Sequence, residues 1–407
     1  MNKKLKILFN RYTFFMAFPV LLVFWQNISL LIFGLMFIHV KSKAEFYKIS
    51  HWSQLLVILF ALGAIISVID SNGLDNGLLR GLAVLPNYIY WSILVIFIIN
   101  LRSFLNYGRI AKYVNYGLIA SIIYYHLSPV IPKVPGFINS FSSNGFAYLC
   151  ITFTPASLVY LVSRNKKYQA IFLFVVVLIT LLLAGRRAGF TLVFVSGIMS
   201  LFLPSLKLKY VVQSLLFSAV VILTLQLSFV EGIIYTSSSR VYELIYQNSN
   251  IQEEDRSYLT RRLMIEKAFL IYKDHPLTGI GLNNFGNYKV EMQGDFKGGE
   301  YVVNKTGMND KSAHNSYAAI IGEGGLLTFV PFIGLIFFNF YKFVVHYSLR
   351  SRISNAFYWS FLGGCVHMFF ISAILNVFAW FLIGIVTAMS ALNRRDIIRL
   401  QLLNNEE

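Results

Sequence analysis

Apolar residues fill window after window along this chain, separated by short polar stretches and by one long polar segment at residues 231–313. A membrane-crossing helix needs about 20 mostly apolar residues. Windows approaching that length fall at 12–25, 28–40, 52–69, 81–99, 110–127, 145–162, 168–184, 189–203, 210–230, 316–341, 356–375 and 377–392. The pattern predicts an all-α polytopic membrane protein of about 12 transmembrane helices, with one large extracytoplasmic loop containing short helices. A membrane barrel would show alternating segments of about ten residues instead. Residues 1–230 form a nine-span membrane region, 231–313 the loop, 314–392 a three-span region opening on His314-Asn315, and 393–407 a tail. Inside the loop, 255–273 puts Leu259, Leu263 and Leu270 at helical spacing and stops before Pro276, as an amphipathic helix does.

Charge fixes the orientation. Of the 407 residues, 57% are hydrophobic and 13% charged, which excludes an ordinary solvated surface. The formal net charge of +17 would suit nucleic acid, but the basic residues gather in alternate short loops, where orientation signals sit. Lys41, Lys43, Lys48, Arg102, Arg109, Arg164, Lys166, Lys167, Lys207, Lys209, Lys342, Arg350, Arg352, Arg394, Arg395 and Arg399 all fall on the side of Lys3, Lys4 and Lys6. That side is the cytoplasm, so both termini are cytoplasmic and the 231–313 loop lies outside. The basic amino terminus lacks a small-residue cleavage site, so the first span is retained. Cys150 and Cys365 sit in apolar windows and imply neither disulfide nor metal.

Several residues depart from the membrane pattern. Arg186 and Arg187 stand in a tight turn between two spans on the side that normally avoids positive charge. They suit an anion site, because guanidinium forks match phosphate oxygens; snorkelling to lipid headgroups is the plainer alternative. Arg262 and Glu266 are spaced as an i,i+4 ion pair. The stretch His275-Pro276-Leu277-Thr278-Gly279-Ile280-Gly281 follows a helix stop with paired glycines that permit a tight backbone, but no strand precedes it, which excludes a dinucleotide fingerprint. His314 opens a span at a membrane surface, where it is either an interfacial polar residue or a base; the adjacent helix amino terminus disfavours imidazolium. His126, His346 and His367 lie near span ends or in apolar context and are read as structural.

Taken together, Arg262, Ala268, His275-Pro276-Leu277, Gly279, Gly281 and Phe285, then His314-Asn315 and Gly325-x-x-Thr328, resemble the O-antigen ligase and polymerase superfamily. Ala188-Gly189 after Arg186-Arg187 is similar to the family's arginine turn at the start of a span. One departure is Glu266, where family members carry an aromatic residue four positions after the loop arginine. It bears on the choice between Arg261 and Arg262, and Arg262 places Ala268 and Leu270 in the expected positions.

The resemblance implies an inverting, metal-independent glycosyltransferase without cofactor. Its donor would be an undecaprenyl-diphosphate-linked oligosaccharide on the outer face of the bacterial cytoplasmic membrane. His314 would be the general base, with Arg186, Arg187 and Arg262 stabilising the diphosphate. Arg80, Arg261, Asn315, Gly279 and Gly281 would bind substrate. The acceptor glycan would be another lipid-linked repeat in a polymerase, or lipid A core in a ligase. The run Pro86-Asn87-Tyr88-Ile89-Tyr90-Trp91 is similar to polysaccharide polymerases and favours the former. Membrane lipids and a chain-length regulator are the remaining expected partners, with no nucleic acid. A transporter or flippase would want ionisable residues at midplane and related halves, and the sequence shows neither clearly.

Overall fold

The computed structural model describes residues 49–71, 76–102, 105–127, 143–203, 256–290, 295–298, 301–304, 313–371 and 376–397. Ten α-helices occur among them, labelled α1 Ser53–Ile69, α2 Gly77–Asn100, α3 Tyr107–Leu127, α4 Ser143–Ser163, α5 Lys167–Leu183, α6 Arg187–Phe202, α7 Arg256–Asp274, α8 Ser316–His346, α9 Arg352–His367 and α10 Val377–Ser390. Three segments, Gly77–Asn100, Asn144–Ser163 and Ser316–His346, are long and apolar enough to cross a membrane, with shorter apolar helices beside them. The chain is therefore a helical membrane protein. The windows at 12–25, 28–40 and 210–230 lie outside the described residues.

Helix α4 is central and buried along most of its length, packed by α3, α5, α6 and α9. Small residues permit the close approaches that such packing needs where lipid supplies no hydrophobic drive. A Cβ on Gly189 of α6 would lie 2.8 Å from Ala147 of α4, and one on Gly364 of α9 would lie 3.0 Å from the Tyr148 hydroxyl. A second layer joins α1, α2, α8 and α10. Helices α1 and α8 run antiparallel: Trp52 stacks edge-on to Phe338 at 4.5 Å, Phe60 meets Phe332 at 5.9 Å, and Gly63 abuts Leu327.

Two findings alter the picture drawn from the apolar windows. Helix α9 ends at His367 and the chain turns through 368–371, short of the window's end at 375. The turn's carbonyls serve the start of α8: the Ser316 amide donates to the Met368 carbonyl (2.8 Å) and the Ser316 hydroxyl to the Ile371 carbonyl (2.8 Å). The segment between α7 and α8 also holds a short antiparallel hairpin, β1 Asp295–Gly298 and β2 Tyr301–Asn304, beside the expected helix. Gly298 pairs with Tyr301, a hairpin pairing that helical periodicity passes over.

Candidate functional site

Helix α8 breaks at Gly325, whose φ of 60° and ψ of −162° no helix accommodates. The break frees two amides. Leu326 and Leu327 donate to the carbonyls of Pro276 (2.9 Å) and Leu277 (3.1 Å), while Ile280 and Gly281 donate back to Gly322 (3.1 Å) and Glu323 (3.0 Å). Four backbone bonds thus clasp the segment after α7 to the kink of α8. Gly279 and Gly281 make the clasp possible with φ of 66° and 90°, in the region only glycine enters freely. The clasp is also anchored to α1 and α2: the Thr278 hydroxyl donates to Asp70 Oδ2 (2.6 Å), the Asn284 amide to the Gly77 carbonyl (3.2 Å), and the Ser67 hydroxyl to the Glu323 carbonyl (2.5 Å).

Beneath the clasp lies a buried polar contact. Helix α7 buries Leu263, Met264, Ala268 and Ile271, and Lys267 is fully enclosed in the same stripe. Its ammonium donates to the Phe285 carbonyl at 2.5 Å and sits 4.9 Å from the centre of the Phe285 ring. The Phe285 amide in turn donates to Glu323 Oε1 at 3.1 Å. Burial is the main cause that pushes Lys267 down to about 8; Lys289 adds to it and Glu323 opposes it.

The arginine turn is built by a Schellman motif. After α5, the Gly185 amide donates to Leu182 (2.9 Å) and the Arg186 amide to Leu181 (3.1 Å), with Gly185 at φ 63°. This presents Arg186 at the entry to α6, where Nη1 donates to Asn144 Oδ1 at 2.9 Å. Arg186 and Arg261 are both within electrostatic reach of His367, the last residue of α9. The Arg261 guanidinium also lies 5.8 Å from the centre of the Phe370 ring. The same turn accepts from Ser316, and the Tyr317 ring packs on Phe369 at 4.4 Å. Three elements therefore meet at the end of α9: the arginine turn, the first half of α7 and the start of α8.

At that start, Asn315 caps α8, its Oδ1 accepting from the amides of Tyr317 (2.9 Å) and Ala318 (3.1 Å). His314 precedes the cap, exposed, at φ 46°, an uncommon conformation for a residue other than glycine. Arg262 points away from the core and is exposed, so the structure brings Arg261 rather than Arg262 to the end of α9. Arg187 opens α6. Arg80 lies half-buried in the first turn of α2, three residues after Gly77. Gly279 and Gly281 are buried, with their amides donated to His275 and Glu323, and both belong to the clasp. Sequence reasoning passed over Lys267, Glu323 and Phe370, and took Phe285 only as part of the family motif. Two of these left a signal: a lysine inside an apolar helical stripe and a carboxylate inside an apolar span both need a buried partner.

Residues 172–333 match the family described as O-antigen ligase. No curated protein matches the chain. The matched range runs from within α5 through the kink of α8, and so takes in the arginine turn, α7, the clasp and the His314-Asn315 pair. The resemblance to the O-antigen ligase and polymerase superfamily drawn from those motifs is supported by this match.

Proposed function

We propose that this chain, similar over residues 172–333 to the O-antigen ligase family, is a glycosyltransferase that uses an undecaprenyl-diphosphate-linked glycan as donor. The observation that carries the reading is the meeting of Arg186, Arg261 and the His314 segment at the end of α9 and the turn that follows it. A departing diphosphate gains negative charge in the transition state, and guanidinium forks already in place stabilise that charge without reorganising. Arg186 and Arg261 fill this role, with Arg187 and Arg262 on the adjoining positions of the same two elements.

His314 takes the proton from the acceptor hydroxyl as its oxygen attacks the anomeric carbon. The new glycosidic bond forms on the face opposite the leaving group. The bond to the diphosphate breaks, its electron pair stays with the diphosphate, and the configuration inverts. The lipid diphosphate supplies the activation, so neither nucleotide nor metal takes part. The site faces the extracytoplasmic side in this reading, because the α5–α6 turn and the α7–α8 segment fall opposite the basic loops.

Acceptor choice follows the first-half likeness to polymerases: a second lipid-linked repeat. The test is transfer by purified protein from undecaprenyl-diphosphate-linked repeat units, read as elongated product and released carrier diphosphate. Elongation without any lipid A core supports the polymerase. Transfer only when lipid A core is supplied makes the chain a ligase, and no turnover with either acceptor refutes the transferase.

A further inference from the structure

We infer that Lys267 and Glu323, joined through the Phe285 peptide, form a buried brace that positions Arg261 and His314 for transfer, so that Lys267 is a positioning residue. The inference rests on the transferase reading above. Lys267 follows Arg261 on α7 by less than two helical turns, about 9 Å along the axis. Glu323 follows Ser316, the first residue of α8, by about two turns, about 10 Å along the axis, and His314 lies just before the Asn315 cap. The two helices that carry the proposed charge stabiliser and base are thus tied together a short distance from both groups.

The tie passes through a single residue. Phe285 accepts from Lys267 through its carbonyl, donates to Glu323 through its amide, and lies with its ring against both the ammonium and Gly322, where a Cβ would come within 3.2 Å. A shift of α7 relative to α8 cannot occur without breaking at least one of these contacts.

Stability alone is a weak reason for such an arrangement. Removing two charges from water costs several kcal/mol per ion, and a well-packed neutral pair of similar volume often folds as well or better. What a charge-assisted, directional link adds over apolar packing is a fixed register. Register is what the proposed chemistry requires, because misplacing reacting groups by about 1 Å costs about a hundredfold in rate.

The groups facing the Lys267 ammonium are Glu323 from α8 and Lys289 from the turns after Phe285, and burial holds it near 8. Loss of its proton weakens the link to Phe285 and Glu323, and transfer falls on the alkaline side through that pH.

The experiment uses the full-length protein in detergent with undecaprenyl-diphosphate-linked repeats. Lys267→Met alone leaves Glu323 buried without its cation and is expected to fold poorly. The paired variant Lys267→Met with Glu323→Gln removes both charges at nearly constant volume and is expected to melt near the wild type. Its kcat is expected to fall about ten- to a hundredfold with little change in KM, and its alkaline limb to disappear. Lys267→Arg, which keeps its charge to higher pH, is expected to move the limb upward. A paired variant with wild-type kcat and an unchanged alkaline limb would overturn the brace while leaving the transferase intact. Wild-type protein that transfers nothing would overturn the transferase reading and the brace with it.

Discussion

Substituting alanine at Gly279 tests whether the clasp holds the site together. A Cβ there would lie 2.4 Å from the Glu323 carbonyl carbon, 2.5 Å from its oxygen and 2.6 Å from the Gly322 oxygen. All three are backbone atoms, so no side chain can swing away. Relief requires about 1 Å of separation, which stretches the Ile280–Gly322 and Gly281–Glu323 hydrogen bonds, now 3.1 and 3.0 Å, beyond bonding range. Each such bond contributes a net of about 0.5–1.5 kcal/mol, and an L side chain at positive φ costs about 1–2 kcal/mol more. The expected loss is about 2–5 kcal/mol. Gly185 supplies the control: its φ of 63° is nearly the same, but a Cβ there meets nothing within 4 Å. Gly185→Ala should therefore lose only the conformational part, about 1–2 kcal/mol. Chemical denaturation of both variants in the same detergent, followed by tryptophan fluorescence, measures the difference. Equal losses would show that the clasp adds nothing to stability and would refute the reasoning.

Further outcomes are expected at Arg261, His314 and Asn315. Arg261→Ala should lower transfer about a hundredfold, the scale of losing one charge-stabilising donor, while Arg262→Ala should lower it far less, as measured by release of carrier diphosphate. Arg261→Lys should recover only part of that loss, because it keeps the charge without the fork. His314→Ala should lose about 10²–10⁴-fold in kcat at neutral pH and regain part of it as pH rises and the acceptor hydroxyl ionises unaided; a flat, fully active profile would remove His314 as base. Asn315→Ala should cost about 1 kcal/mol of stability through the lost cap, and Asn315→Asp, which caps equally well, should restore it in the same unfolding assay.

The apolar windows carry the helices well because burial in lipid or protein is written into each window locally. The window at 52–69 becomes α1 at Ser53–Ile69, and α8 opens at Ser316 where its window does. Where a partner distant in sequence decides the backbone, the window misleads. The apolar run at 356–375 continues past His367, but the carbonyls of Met368 and Ile371 are taken by Ser316, some fifty residues earlier, and the helix ends. The clasp is half legible for the same reason. Glycines at 279, 281 and 325 announce left-handed backbone, yet nothing in either stretch says that one will lie along the other.

The choice between Arg261 and Arg262 shows how far periodicity reaches once the buried stripe is known. Adjacent helical residues point about 100° apart, so the two arginines cannot serve the same face. Arg261 is followed at three, seven and ten positions by Met264, Ala268 and Ile271, all buried. Arg262 is followed at three, four and seven by Ile265, Glu266 and Phe269, all exposed. The first series turns its leading residue toward the core side, where Phe370 and His367 wait; the second turns it outward. Glu266 fits this division, since a carboxylate suits the exposed series and the aromatic expected there would add to an already apolar outer face containing Phe269 at 62% exposure. The face geometry therefore favours Arg261 over Arg262 as the arginine at the end of α9, and in the proposed mechanism Arg261 is the one that meets the donor.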